Sequence, residues 1–482
     1  MLEANSHKYL KKYYQNNVAL WPHNLTLTRL ISRSLSRKDN TFIQLISDSR
    51  NSWWPGLLIP LCLYNKNIVL ILSEKQRRQL LEVELPKLRS SQLIFDYVEG
   101  IELTPSDKKI WVLRYQDLIF ANEKGLLNNR QLIFPESEFM SAELRETMSI
   151  KITPKDWEHL IASHPSFESS IIQVHERLSR RLFSQSATSD GVIRIDNREI
   201  MTLKEILKNS LPSAMPWNRA FNSINNEWVS WAKLDNQILS WDWYLQPLVP
   251  LQTLTGLLSN NTLLLLSNSD KSDSFFYDLN SKKISFTLTV SIGNRLDQEP
   301  IPLFVPKRQP LPNTAYFYRY VLRQCQRLIL GRIHITIILV DDLQFRLQLT
   351  SELAGEYGLR VVHETTNIDT NGIICCSCNW WIINQHNLPV PDQLIFPMIP
   401  LPAMESPWIA ARVEMLKHQG RNWFHEFLLP ETLAILLKSI AFIRGKDVRV
   451  AILDGRMRYR SWGKLIFETL QPWVNLERLL PY

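Results

Sequence analysis

Apolar and polar residues follow one another in short blocks along this chain. Residues 25–40 place Leu27, Leu30, Ile31 and Leu35 at helical spacing and then run out into the polar stretch 36–40. Phe42-Ile43-Gln44-Leu45-Ile46 reads as a buried strand. After the polar loop 47–52, residues 53–64 read as a buried helix. Residues 68–72 predict a second short strand ending at Ser73, and 74–88 a helix rich in Gln and Arg. Strand, loop, helix, strand and helix with short connections make an α/β unit on a parallel sheet. Residues 92–97, 109–114 and 130–134 supply further strands.

From 141 to 243 helical signals dominate, as in 157–162 and 170–183, with a Ser-rich connection at 184–191. Strand signals return at 262–266 and 284–290, and the Pro-rich segment 300–312 reads as a linker. A second α/β unit follows: strand 333–340, helix 343–357 and strand 360–363, then strands at 372–376, 393–397 and finally 448–453. The expected architecture is therefore α/β, with a first lobe over 1–140 and 244–305, a helical insertion over 141–243 and a second lobe over 306–482.

Composition narrows the chemistry. The formal net charge of +8 favours anionic partners, nucleic acid ahead of a membrane surface. Only 14 of 482 residues are glycine, well under the usual share of about 7%. Loops that cradle phosphate need glycine so that backbone N–H groups can approach the ligand. Five cysteines, three of them clustered as Cys375, Cys376 and Cys378, give no disulfide framework, so a reducing, cytoplasmic setting is expected. The longest apolar run, 53–63, is too short to span a bilayer, and the N-terminal residues lack a signal-type apolar core, so no membrane partner is expected.

The order of signals resembles the superfamily 2 DNA helicases of the XPD/DinG branch, in register from about residue 20 onward. The first strand–loop–helix stands where that family keeps its ATP phosphate loop. Residues 68–73 with Gln79-Leu80-Leu81 and Leu85-Pro86-Lys87-Leu88 look like the next motif, which contacts the DNA backbone. Gln131 to Glu138 takes the place of the metal-binding DEAH box, and 262–269 with Phe275-Phe276 that of the segment coupling ATP to DNA. In the second half, Pro310-Leu311-Pro312-Asn313-Thr314, Trp380-Trp381, 399–407, Gln419-Gly420-Arg421-Asn422-Trp423-Phe424, Leu429-Pro430-Glu431-Thr432, Phe442-Ile443-Arg444 and 450–456 are similar to the family's motifs in their family order. The resemblance implies two RecA-like, P-loop NTPase-like lobes and a DNA partner, single-stranded in this family's manner, within repair, replication or transcription.

The catalytic residues that the resemblance would require are missing. A phosphate loop needs G-x-x-x-x-G-K-[ST], for a nest of N–H groups, a phosphate-binding lysine and a magnesium-binding hydroxyl. In Asp48-Ser49-Arg50-Asn51-Ser52-Trp53-Trp54, Trp53 falls near the lysine position and Trp54 near the hydroxyl. Pro135 replaces the DEAH aspartate, Glu136 survives and Glu138 stands at the histidine position. Arg444 matches the arginine finger across a gap, and a lone finger does not rescue hydrolysis.

The expectation is a helicase-like protein that binds nucleic acid without hydrolysing ATP, with no cofactor. ATP and Mg²⁺ enter only under the alternative of an active helicase with a noncanonical site, and a protein-interaction scaffold is a third reading. Only Cys62 stands between the first two motif positions, so the iron–sulfur cluster of XPD relatives is not expected, nor is a metal at the 375–378 cysteines. Candidate DNA contacts are Ser73, Lys75, Arg77 and Arg78 at a helix start, Trp380 and Trp381 as stacking aromatics, and Arg456 and Arg458 near the C-terminus. For most tryptophans core packing is the competing expectation, and Trp53-Trp54 are expected to fill the nucleotide space.

Overall fold

The computed structural model describes residues 2–16, 21–46, 52–64, 66–89, 93–102, 109–185, 191–207, 216–223, 227–235, 237–268, 278–279, 284–294, 299–331 and 333–476. Most of the expected phosphate loop (Asp48 to Asn51), Ser269 and Phe275-Phe276 lie outside these residues.

The first lobe is a seven-stranded parallel sheet in the order β11-β1-β10-β5-β2-β4-β3. Its strands are β1 Thr41–Leu45, β2 Ile68–Leu72, β3 Tyr97–Glu99, β4 Ile110–Arg114, β5 Gln131–Phe134, β10 Thr262–Ser267 and β11 Leu288–Ile292. Helices α1 Leu2–Asn16, α2 Asn24–Arg37, α3 Trp54–Leu63, α4 Glu74–Arg78, α5 Leu85–Arg89, α6 Tyr115–Glu123, α7 Met140–Met148 and α12 Thr255–Asn260 surround it, with one π-helical stretch, Gln79–Glu84, between α4 and α5. Every residue of β1, β2 and β5 is buried, because helices cover both faces of a parallel sheet. Successive side chains go to opposite faces: Ile68, Leu70 and Leu72 pack with α1, α2 and α3, while Val69 and Ile71 pack with α6, α7 and α12.

The second lobe repeats the design, with a parallel sheet ordered β14-β15-β13-β16-β17-β12-β18. These are β12 Ile301–Phe304, β13 Thr336–Leu339, β14 Val361–His363, β15 Ile373–Cys376, β16 Gln393–Phe396, β17 Arg449–Ile452 and β18 Trp473–Asn475. Its helices are α13 Phe317–Ile329, α14 Leu343–Tyr357, α15 Cys378–Asn384, α16 Pro407–His418, α17 Leu429–Ala441, α18 Arg456–Tyr459 and α19 Gly463–Leu470. The sheet again separates two cores: α13 and α14 cover one face, α15, α17 and α19 the other.

The insertion holds the expected helices, α8 Pro154–Ser163 and α9 Glu168–Ser184, with α10 Arg198–Ile206 and α11 Trp217–Ser223. It also carries an antiparallel sheet, β6-β9-β8-β7, which helical periodicity did not predict. The strands are β6 Ile150–Ile152, β7 Val192–Ile195, β8 Trp228–Asp235 and β9 Ser240–Pro247. The insertion's core is built from tryptophan: Trp157 stacks on Trp243 at 6.1 Å and meets Trp217 edge-on at 4.8 Å. These indoles fill the core instead of offering faces to bases.

Two expected boundaries shift. The insertion sheet extends to Pro247 instead of ending at 243, because β9 pairs with β8 along its whole length. The segment 300–312 is not simply a linker: β12 within it pairs with β17 and β18, so the second lobe begins before residue 306. The strand expected at 92–97 forms only from Tyr97, and that at 284–290 is displaced to Leu288–Ile292.

Candidate functional site

Ligands of parallel α/β folds bind at the carboxyl ends of the strands, so the β1–α3 and β5 ends are the places to test for nucleotide chemistry. Asn24, fully buried on α2, clamps the entry to α3. Its side-chain amide donates to the Ser52 carbonyl (2.9 Å), and its oxygen accepts from the Gly56 N–H (3.1 Å). The Ser52 hydroxyl donates to Glu84 (3.2 Å), a carboxyl that burial pushes above its ordinary range. Trp53 and Trp54 stack on each other with ring centres 4.9 Å apart, and Trp54 is 2% exposed. Both indoles belong to the α1–α2–α3 side of the first-lobe core. They plug the start of α3 from within that lobe.

At the end of β5, Pro135 is buried and the chain turns so that Glu136 and Glu138 lie together against the neighbouring strand end. The Asn268 N–H, just beyond β10, donates to Glu138 Oε1 at 3.2 Å. Burial raises both carboxyls, and the adjacent Glu136 pushes Glu138 further, to about 7. Two cations oppose this: Lys75 at the start of α4, and Lys438 reaching across from α17 of the second lobe. Lys438 Nζ also sits 3.8 Å from the centre of the Phe139 ring. On the same second-lobe face, His386 packs edge-on against Phe442 at 5.2 Å and is held below its usual pKa by burial, Lys75 and Lys446. Acids and cations from both lobes thus meet at this end of β5.

Arg444 does not face this crevice. It is 5% exposed, and its guanidinium donates to the carbonyls of Leu470 (3.0 Å) and Gln471 (3.1 Å) at the end of α19. The residue that reaches the β5 end of the first lobe is Lys438 of α17, six positions upstream. As the one basic residue of that helix, set in the apolar stretch after Thr432, it carried a readable signal.

The two C-terminal arginines expected to contact phosphate also bond within the protein, Arg456 from a half-buried and Arg458 from an exposed position. Arg456 makes a forked pair with the fully buried Asp454, at 2.6 Å for the shortest bond. Asp454 also accepts from the Ile399 N–H (2.9 Å). Arg458 donates to the carbonyls of Val305 (2.7 Å) and Pro306 (3.1 Å). Gly455 lets Pro310 come close: a Cβ there would lie 2.6 Å from the Pro310 carbonyl oxygen. Asp454-Gly455-Arg456 therefore pins the entry segment of the second lobe.

Trp381 is fully buried and donates its indole N–H to the Ser439 carbonyl (2.8 Å), which leaves no face for a base, whereas Trp380 is half-buried on the same helix. Cys375 and Cys376 point to opposite faces of the sheet, which separates them as metal ligands. Among the described residues no group of three His, Cys, Asp or Glu is placed to hold a metal.

Of the first-lobe candidates, Ser73 caps α4, accepting from the Gln76 N–H while its own N–H donates to the Gln76 side chain. Arg77 pairs with Glu99 (2.5 Å) and Arg78 with Glu74 (3.1 Å). Lys75 is exposed at the crevice.

A seam absent from the sequence reading joins the first lobe and the insertion to α16 of the second lobe. Arg412 forms a buried ion pair with Asp278 of the first lobe and donates to the Leu248 carbonyl (3.1 Å). Trp408 donates to the Pro247 carbonyl (3.0 Å), and the Arg145 guanidinium lies over the Trp408 ring at 4.1 Å. Arg194 of β7 pairs with Glu414 (2.8 Å). Above this seam a cavity of 770 Å³ opens at the carboxyl edge of the second sheet, lined by Arg145, Trp231, Pro312, Asp342, Trp408 and Arg456 among others.

No protein-family model and no curated protein matches the sequence. Solved structures do. A structure described as XPD helicase is similar over 95% of this chain and 100% of its own, at 10% identity and a TM-score of 0.65. An apo XPD structure covers 94% and 100% at 12% identity and a TM-score of 0.60. The Xpd4 of S. tokodaii covers 92% and 98% at 10% identity and a TM-score of 0.61. At such identities the likeness concerns the fold, and the fold of this chain is that of these XPD helicase structures.

Proposed function

We propose that this chain is a nucleic-acid-binding protein on a helicase frame, without ATPase activity, that serves as a static component in DNA repair, replication or transcription. The observation that carries the reading is the entry to α3. The Ser52 hydroxyl is bonded to the buried Glu84 carboxyl, and the following two positions are stacked indoles inside the core. A triphosphate needs N–H groups, a cation and a hydroxyl free for magnesium at that place. A carboxyl and two tryptophans do not fit it, and no hydrolytic step is derived for this crevice. Support also comes from Lys438, which supplies Glu136 and Glu138 with a cation from within the protein.

Titration with a fluorescent ATP analogue and Mg²⁺, with and without oligo-dT, tests the reading. No saturable nucleotide signal and no phosphate release are expected, together with oligo-dT binding that weakens as salt rises. Magnesium-dependent binding with oligo-dT-stimulated phosphate release would establish the active-helicase alternative. Absence of any oligo-dT binding would leave the interaction scaffold.

A further inference from the structure

Helix α13 has the sequence FYRYVLRQCQRLI, with three arginines and no acid. Arg319, Arg323 and Arg327 recur every four residues and are all exposed. At 1.5 Å rise per residue they stand about 6 Å apart along one stripe. Tyr316, 62% exposed, precedes the stripe, and Leu330, 66% exposed, follows it on the same side of the helix. The opposite side, Phe317, Val321, Cys325 and Leu328, is buried in the second-lobe core, which fixes the stripe toward solvent.

This stripe differs from the other arginine-rich surfaces. On α9, Arg177 and Arg181 pair with Glu199, and Arg180 pairs with Glu176. Arg77, Arg78, Arg194, Arg412 and Arg456 each have a carboxylate partner as well. None of Arg319, Arg323 and Arg327 makes a hydrogen bond or ion pair with the described residues. The neighbouring acids on α14 are hydrogen-bonded elsewhere: Glu356 accepts from Gln326, and Glu352 from Gln348. Uncompensated guanidinium groups at regular spacing attract a polyanion with regular charge, and an exposed aromatic at one end suits an unpaired base. The stripe also has a direction. Its Tyr316 end follows the 310–314 segment, where Pro312 lines the 770 Å³ cavity and Pro310 rests on Gly455. From there it runs down the sheet face opposite the acid–cation cluster of the crevice.

We infer that α13 is a track for the phosphate backbone of a single-stranded nucleic acid, with Arg319, Arg323 and Arg327 contacting phosphates and Tyr316 receiving a base. This rests on the nucleic-acid-binding reading above and assigns it a surface that the sequence did not suggest.

The test compares wild type with the triple variant Arg319→Gln, Arg323→Gln, Arg327→Gln, and with a control triple variant Arg177→Gln, Arg180→Gln, Arg181→Gln on α9. Fluorescein-labelled oligo-dT and oligo-rU are titrated by anisotropy across a salt series, with circular dichroism melts as the fold check. The α13 variant is expected to bind roughly tenfold or more weakly, and its log–log salt slope to be shallower by about 2, three contacts at ~0.7 each. The control should keep the wild-type slope. Whichever polymer shows the change identifies the strand as DNA or RNA. Wild-type binding with an unchanged slope in the α13 variant overturns the track and leaves the nucleic-acid reading standing. If wild type binds neither polymer, both fall.

Discussion

Burial beside Glu136 keeps the Glu138 carboxyl protonated up to about pH 7, which makes one side chain a reporter of the whole crevice. The groups around it are Glu136, Lys438 and the Asn268 N–H, and Glu136 in turn faces Lys75, Lys438, Gln76 and Glu143. An acid whose folded-state pKa is raised binds its proton more tightly folded than unfolded. Its contribution is therefore full below the ordinary carboxylate range and is lost as pH rises toward 7. Thermal melts should show stability falling between pH 5 and 8 by on the order of 1–2 kcal/mol. Glu138→Gln should flatten that decline and melt higher than wild type at pH 8. A variant whose pH profile overlays the wild type would show that Glu138 is not held in this way. At the same scale, Arg444 and Arg456 show that neighbours decide what a guanidinium does: one serves the carbonyls at the end of α19, the other the buried Asp454 carboxylate.

Among the elements, α2 and α3 lie against each other because Gly56 has no side chain. A Cβ there would stand 2.7 Å from Asn24 Oδ1 and 2.8 Å from Leu27 Cδ2. Gly56→Ala should cost about 1–3 kcal/mol through overpacking, read as a lower denaturant midpoint at unchanged slope. If the midpoint does not move, the two helices are not held at this distance. The strands that were legible in sequence, such as Ile68–Leu72 and Gln393–Phe396, are buried on both faces and so read as unbroken apolar runs. Less legible were β12, which includes Pro302, and β18, only three residues long and partly exposed. The insertion strands β8 and β9 were hidden for another reason. Their tryptophans alternate inward, as in Trp241 and Trp243, but flanking helices of stronger periodicity dominated the reading of 141–243. The crevice was legible as a set of losses, the missing glycines and lysine. What replaced them was not, since Glu84 and Lys438 come from helices distant in sequence.

At the scale of the molecule, Arg412 and Asp278 form the ion pair on which contact between the lobes turns. Removing one partner of a buried pair leaves a charge without compensation, at a cost of about 3–5 kcal/mol, whereas replacing both by apolar groups is often neutral. Arg412→Ala should lower the melting temperature and speed hydrogen exchange in β8, β9 and α16, and the double change Arg412→Met with Asp278→Leu should restore most of the loss. Single-variant exchange confined to α16 would argue against a shared seam. No described helix is long and apolar enough to cross a membrane.

The seam has a mechanical meaning. The insertion grows out of the first lobe yet rests on the second through Arg194–Glu414 and Trp408–Pro247, while Arg412 grips both. A swing of one lobe away from the other would have to break the buried Arg412–Asp278 pair and the bonds from Arg412 and Trp408 to the carbonyls of Leu248 and Pro247. The bracing therefore ties the insertion to both lobes at once.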